Sequence, residues 1–173
     1  MNDPFAPLGR ALATRAVRYL LIGVSGANFY THPAASRFVT DDYDLFLPLD
    51  SANLVQAWAA CDDAGLELWL TDDPLDRPRD RWLADQVVAR RALTRASGPN
   101  ELLVDFTLVM KGFEFETAWK EHRVFRVEDA DIPTARLTHI VMSKQAAGRP
   151  KDQLFLTTHQ DALEQLLKKP DLG

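Results

Sequence analysis

Cysteine is almost missing from this 173-residue sequence, which carries Cys61 alone. A single thiol excludes an internal disulfide framework and fits a reducing compartment. The start, Met1-Asn2-Asp3-Pro4, lacks a basic segment leading into a long apolar run, so no secretory leader is expected. Long apolar runs are missing throughout: residues 19–24 are among the longest and fall far short of a membrane span. A cytoplasmic protein is therefore expected. Excess positive charge is missing too, since 20 Lys and Arg against 25 Asp and Glu give a net charge of -5. Contact with a polyanion would need a local basic patch. His32, His122, His139 and His159 are scattered without metal-ligand spacing, and each reads as structural. No repeat, low-complexity tract or long linker divides the chain.

What is present describes a folded chain. Hydrophobic residues make up 46% and charged residues 26%, with four tryptophans and nine phenylalanines to build a core. Trp58, Trp69, Trp82 and Trp119 read as core or interface aromatics, and Cys61 falls in the apolar stripe Leu54, Trp58, Cys61. The length suggests a single domain over 1–173, with C-terminal helices from about 136 packed on it.

The order of elements points to an α/β fold with a mixed sheet and flanking helices. A short helix is expected over 8–15. The continuous apolar run 19–24 reads as a buried strand, and Ser25-Gly26 as a strand-to-helix turn opening a helix over 27–31. A second strand covers 43–47. Asp50-Ser51 caps a helix ended by Gly65, and a third strand covers 66–70. A surface loop over 71–78 leads to a helix over 79–93, whose Arg90-Arg91 and Arg95 read as a solvated face. The strongest strand pattern is 101–110. Residues 113–126 fit helix or strand equally. A helix over 136–147 stops at Gly148, and Pro150 opens a last helix that turns Phe155, Ala162, Leu163 and Leu166 inward.

Chemistry enters with the carboxylates. Alternate residues of a strand share a face, so Asp42, Asp44 and Phe46 lie on one side and Tyr43, Leu45 and Leu47 on the other. The second set is a core-facing surface; the first converges two carboxylates. Asp105 interrupts Leu103-Val104-Asp105-Phe106, where aspartate is disfavoured and an unpaired buried charge costs several kcal/mol. Either a cation or an arginine must answer it, and for Asp105 alone the two are equally good. Asp41-Asp42 alone reads better as a loop cap than as a metal site, and Asp50 as a helix cap only. Setting the two strands side by side would gather Asp42, Asp44 and Asp105, enough hard oxygen for one or two Mg²⁺ or Mn²⁺ ions. An Asp105 turned away from the pair, or locked to an arginine, would remove that chemistry and leave the architecture.

Three segments together resemble the DNA polymerase β-like nucleotidyltransferase superfamily: Leu21-Ile22-Gly23-Val24-Ser25-Gly26, Asp42-Tyr43-Asp44-Leu45 and Leu103-Val104-Asp105-Phe106. The chain is most similar there to small stand-alone bacterial nucleotidyltransferase-like proteins, some of which resemble toxin–antitoxin components. In that group Arg and Thr precede the acidic pair, here Arg37 and Thr40. A run follows that reads here Lys144-Gln145-Ala146-Ala147-Gly148-Arg149-Pro150-Lys151-Asp152. The likeness covers about 19–156. It departs where Ser25-Gly26 replaces the usual Gly-Gly or Gly-Ser, and in a slightly long stretch before Asp42.

The resemblance implies a nucleotidyltransferase-like fold and transfer of a nucleoside monophosphate from an NTP to an acceptor: a small molecule, a protein or an RNA end. Asp42, Asp44 and Asp105 would be catalytic metal ligands, with Asp105 an alternative general base. Ser25, Gly26, Arg37, Thr40, Lys144 and Arg149 would bind nucleotide, the Ser25-Gly26 turn through backbone N–H groups. Lys144 lies on the inward helix face with Leu137, Ile140 and Val141, where reaching phosphate and snorkelling along the helix are equally open. The competing function is a catalytically silent module of the same fold, regulatory or toxin–antitoxin-like, that binds a protein partner. A metal-dependent glycosyltransferase is a weaker third.

Overall fold

The computed structural model describes residues 3–31, 38–40 and 42–169; His32, Arg37 and Asp41 lie outside them. In chain order the elements are α1 (Ala6–Thr14), β1 (Leu20–Ile22), α2 (Gly23–Asn28), β2 (Tyr43–Phe46), α3 (Ser51–Asp63), β3 (Glu67–Leu70), β4 (Asp73–Pro74), α4 (Arg81–Arg90), β5 (Thr94–Ser97), β6 (Leu103–Thr107), α5 (Phe115–Lys120), β7 (Arg123–Val127), β8 (Ala130–Thr134), α6 (Leu137–Ala147), α7 (Pro150–Thr158) and α8 (Gln160–Leu167). Among the described residues, no helix is long and apolar enough to cross a membrane.

Local chemistry sets many of these boundaries. Asp50 and Asp80 each accept a hydrogen bond from the amide three residues on, Asn53 at 3.2 Å and Leu83 at 3.1 Å, so α3 and α4 begin where a carboxylate satisfies a free N–H. Helix α6 ends on Gly148 in the left-handed region (φ 60°), and Pro150 starts α7 where no intrahelical donor is needed.

The strands form one mixed sheet ordered β4-β3-β5-β6-β2-β1-β8-β7. At its centre β2 runs parallel to β6 and antiparallel to β1. Each face carries its own apolar cluster. Leu21, Leu45, Leu47, Val104 and Phe106 pack with α1, α3 and α4 around Trp58, whose indole N–H donates to Thr94 Oγ1 at 3.2 Å. On the opposite face Leu20, Ile22 and Phe46 pack with α2, α5, α6 and α8. Among the described residues, none of β3, β5 or β6 joins this second cluster. Its helices thus cover β1 and β2 and stop near the middle of the sheet.

The expected alternation of β2 is what the structure contains: Tyr43, Leu45 and Leu47 lie in or against the first cluster and Phe46 in the second. Several boundaries are corrected. The strand-to-helix turn falls at Ile22-Gly23, so Ser25 and Gly26 lie inside α2 rather than opening it. Residues 94–97 are a strand, β5, not the tail of a helix, and 73–74 form a short strand in the loop. The ambiguous stretch resolves into both α5 and the start of β7, and β8 is an added hairpin partner. The last helix is two, with Leu163 and Leu166 buried but Ala162 exposed.

Gly26 is where α2 touches its neighbours. A Cβ there would lie 2.9 Å from the Leu21 carbonyl oxygen and 3.0 Å from Ile140 Cδ1. The backbone carbonyl cannot retreat as a side chain can. Gly26→Ala should therefore cost about 1–3 kcal/mol, read as a lower urea midpoint at unchanged slope. An unaltered midpoint would show that α2 is not seated this tightly.

Candidate metal centre

Direct pairing brings the carboxylates together. The parallel register sets Asp44 opposite Asp105, and Asp42 stands one residue before β2. One oxygen from each of Asp42, Asp44 and Asp105 lies within 4.8 Å of the others. Three hard oxygen donors converging this closely could hold a divalent cation of the Mg²⁺ or Mn²⁺ type. Carboxylates so crowded repel one another. Burial first, then Asp42 and Asp105, push the Asp44 carboxyl up to about 6 from its ordinary 3.8, while Lys144 and Lys151 pull the other way.

An arginine already answers part of that charge. Arg95 on β5 is the cross-strand partner of Asp105, so the two side chains share a face. Arg95 Nε donates to Asp105 Oδ1 at 2.6 Å and an Nη to Oδ2 at 3.0 Å, and the same Nη group stands 3.7 Å from Asp42 Oδ2. Asp105 therefore faces the acidic pair but is locked to an arginine, the arrangement expected to remove its metal chemistry, so it can act as a metal ligand only if Arg95 releases it. With both oxygens engaged by Arg95, Asp105 has no free oxygen with which to act as a general base in this arrangement.

The small residues of the turn serve the site differently from what was expected. Ser25 is buried; its hydroxyl donates to the Ile22 carbonyl at 3.0 Å and accepts from the Asp44 amide at 3.2 Å. Its hydroxyl thus splices the head of β2 to the end of β1. Gly26 is a packing contact. The glycine that bears on the carboxylates is Gly23, left-handed at φ 67°, because any Cβ there would overlap the Asp44 carboxylate. Thr40 Oγ1 donates to the Asp42 carbonyl at 3.2 Å. With Ser25, Asn28 and Asp42, Thr40 lines a cleft of about 270 Å³. A larger cavity of about 500 Å³ lies at the other end of β2, around Phe46, Leu49, Met110 and Phe115, away from the carboxylates.

Lys144 and Arg149 gather on a residue not singled out from the sequence. Asp152 is buried in the first turn of α7 and accepts from Arg149 at 2.7 and 3.3 Å and from Lys144 at 3.5 Å. Burial raises the Asp152 carboxyl, but Arg149 and Lys144 outweigh it and hold it below its ordinary value. Burial likewise lowers the Lys144 ammonium, which lies 4.9 Å from the Phe155 ring centroid. Both cations also act on Asp44 through space. Gly148 and Pro150 are therefore the bend that brings α7 back so that one carboxylate can hold two cations near the acidic cluster.

The described histidines each have a packing or ion-pair partner. His139 meets Glu121 at 3.2 Å, His122 stacks on Trp119, and His159 packs on Phe38 and Phe155. Burial pushes the Cys61 thiol up and leaves it unreactive. Arg95 was missed because it was read with Arg90 and Arg91. Alternation in Thr94-Arg95-Ala96-Ser97 was the available signal. No family model matches the chain, and no curated protein matches it.

Two predictions follow from these charges. Because the native Asp44 holds its proton up to about pH 6, the folded state binds more protons than the unfolded between about pH 4 and 6, and stability falls as pH rises through that window. Asp44→Asn should stabilise the protein on the order of 2 kcal/mol near pH 8 and by almost nothing near pH 4, measured by urea denaturation with chelator present. Equal effects at both pH values would contradict the assignment. Asp152→Asn should cost about 2–4 kcal/mol, since it strips two cations of their shared partner; a near-neutral substitution would show that solvent serves them as well.

Proposed function

We propose that this chain is a divalent-cation-dependent nucleotidyltransferase that moves a nucleoside monophosphate from an NTP to an acceptor hydroxyl. The single observation that carries the reading is the convergence of Asp42, Asp44 and Asp105 within 4.8 Å, beside cations supplied by Lys144 and Arg149. The likeness to the polymerase β-like superfamily supports it, with the same acidic residues in the matching places.

Asp42 and Asp44 would hold the cation, joined by Asp105 once Arg95 releases its oxygens. Bound there, it would neutralise triphosphate charge and ease deprotonation of an attacking hydroxyl. Lys144, its side chain mostly buried and tethered by Asp152, would meet phosphate oxygens, with Arg149 at the mouth of the same bend. The cleft beside Thr40 and Asn28 would take the nucleoside. In the transfer, the acceptor oxygen bonds to the α-phosphorus, the bridging bond to the β-phosphate breaks, and pyrophosphate leaves. The acceptor proton departs to solvent.

A second reading has its own observation. The bidentate Arg95–Asp105 pair supplies the cluster with a resident cation, as a catalytically silent binding module of this fold would have it. Calorimetric titration with Mn²⁺ and a nonhydrolysable NTP separates the two. The enzyme reading expects metal-dependent nucleotide binding, abolished in the Asp42→Ala, Asp44→Ala double variant. No binding by the wild-type chain would leave the silent module standing. A protein partner retained by a variant altered at all three aspartates would then support it.

A further inference from the structure

Arg95 sits where a divalent ion and a phosphate would both have business. Along one transverse line of the sheet, Trp69 pairs with Arg95, Arg95 with Asp105, and Asp105 with Asp44. Side chains paired in this way stand in a row on one face. Asp105 is nearly buried, its side chain 10% exposed, whereas that of Arg95 is 43% exposed. The carboxylate is fixed; the guanidinium has room to leave it. The covering helices of this face pack on β1 and β2, and β5 contributes nothing to their apolar cluster.

Charge defines the competition. Three carboxylates converge, and Arg95 supplies a single positive charge to them. A divalent ion would neutralise more, but Asp105 cannot present an oxygen to it while both oxygens receive Arg95 hydrogen bonds at 2.6 and 3.0 Å. Displacing the guanidinium without a new partner strands a cation bred for bidentate anions, at the cost of a charge-assisted pair. A phosphate removes that cost, because its oxygens match the same planar fork. Lysine at this position would supply charge without the fork.

We propose that Arg95 couples metal to triphosphate: it blocks the cation site in the free protein and yields Asp105 when a polyphosphate receives its guanidinium. The inference rests on the metal-binding reading above and adds the residue that makes the two ligands bind together. Coupling of this kind is a free energy shared by both ligands, typically about 5- to 150-fold in affinity. The free protein would then resist bare divalent ions and respond to the metal–polyphosphate complex, so that the ligand class selected is a polyphosphate rather than a single carboxylate or monophosphate.

The test uses the full chain, Mn²⁺ and tripolyphosphate, which has no base to confuse the readout. Free Mn²⁺ is followed by its paramagnetic resonance signal, and the Mn²⁺–tripolyphosphate complex by calorimetry. Wild-type protein should bind the complex at least about tenfold more tightly than bare Mn²⁺. Arg95→Met should bind bare Mn²⁺ on the order of tenfold more tightly than wild type and gain little from tripolyphosphate. Arg95→Lys, which keeps the charge and guards against a folding defect in the methionine variant, should fall between them. Equal Mn²⁺ affinity in wild type and both variants overturns the coupling and leaves the metal site intact. An undiminished tripolyphosphate gain in Arg95→Met overturns it as well. Failure of all three proteins to bind Mn²⁺ in either form removes the metal-binding reading, and this inference with it.

Discussion

Parallel pairing of β2 with β6 sets two aspartates side by side at Asp44 and Asp105, and two negative charges at neighbouring sheet positions oppose the fold that joins them. Each surrounding feature reduces that opposition or exploits it. The neighbouring strand supplies Arg95 at the adjoining register position. The helix pair α6–α7 brings Lys144 and Arg149 near Asp44, tied to Asp152. Asp44 retains the shortfall as a carboxyl raised to about 6. A stability-minded sequence would place apolar residues there. That the chain instead spends three aspartates on one small volume is the physical basis for reading a site.

Geometry on either side of the cluster depends on residues with little chemistry of their own. Gly23 leaves the space that the Asp44 carboxylate fills, and Ser25 fixes the backbone of Asp44 to the end of β1. Asn28 holds the chain entering this region, donating to the Phe38 carbonyl at 3.0 Å and accepting from its amide at 2.6 Å. These contacts restrain where Asp44 can go without touching a ligand. They give the strand-to-helix turn a positioning role through its glycine and its serine hydroxyl.

The sequence made part of this legible. Alternation through Tyr43, Asp44, Leu45 and Phe46 assigned the faces of β2 correctly, because one face is wholly apolar and a shift by one residue would bury the aspartates. Aspartate in the strongest strand marked Asp105 for the same reason. Caps at Asp50 and stops at Gly65 and Gly148 follow from local hydrogen bonding and left-handed backbone, which need no tertiary context. Strand β5 was illegible because Thr94-Arg95-Ala96-Ser97 has little apolar content and follows two arginines; its small residues Thr94 and Ala96 are buried against Trp58 and the sheet core only once β3 and β6 flank them. Asp152 was hidden for a related reason: eight residues separate it from Lys144, and only the bend at Gly148 closes that distance.

The placement of the cluster relative to the helices bears on which side a ligand approaches. Ile22 and Phe46 on β1 and β2 are sealed under the second apolar cluster, whereas Asp105 and Arg95 on β6 and β5 stand beyond its edge. Asp44 is the seam between these regions, half-buried within β2. A cation at the seam would be screened by protein on the β1 side and open to solvent on the β5 side. On the proposed reading, a ligand at the carboxylates would meet Arg95 on one side and the cleft beside Thr40 and Asn28 on the other. On that reading the residues lining the approach, rather than the carboxylates, would discriminate among acceptors, since the carboxylates present the same oxygens to every cation.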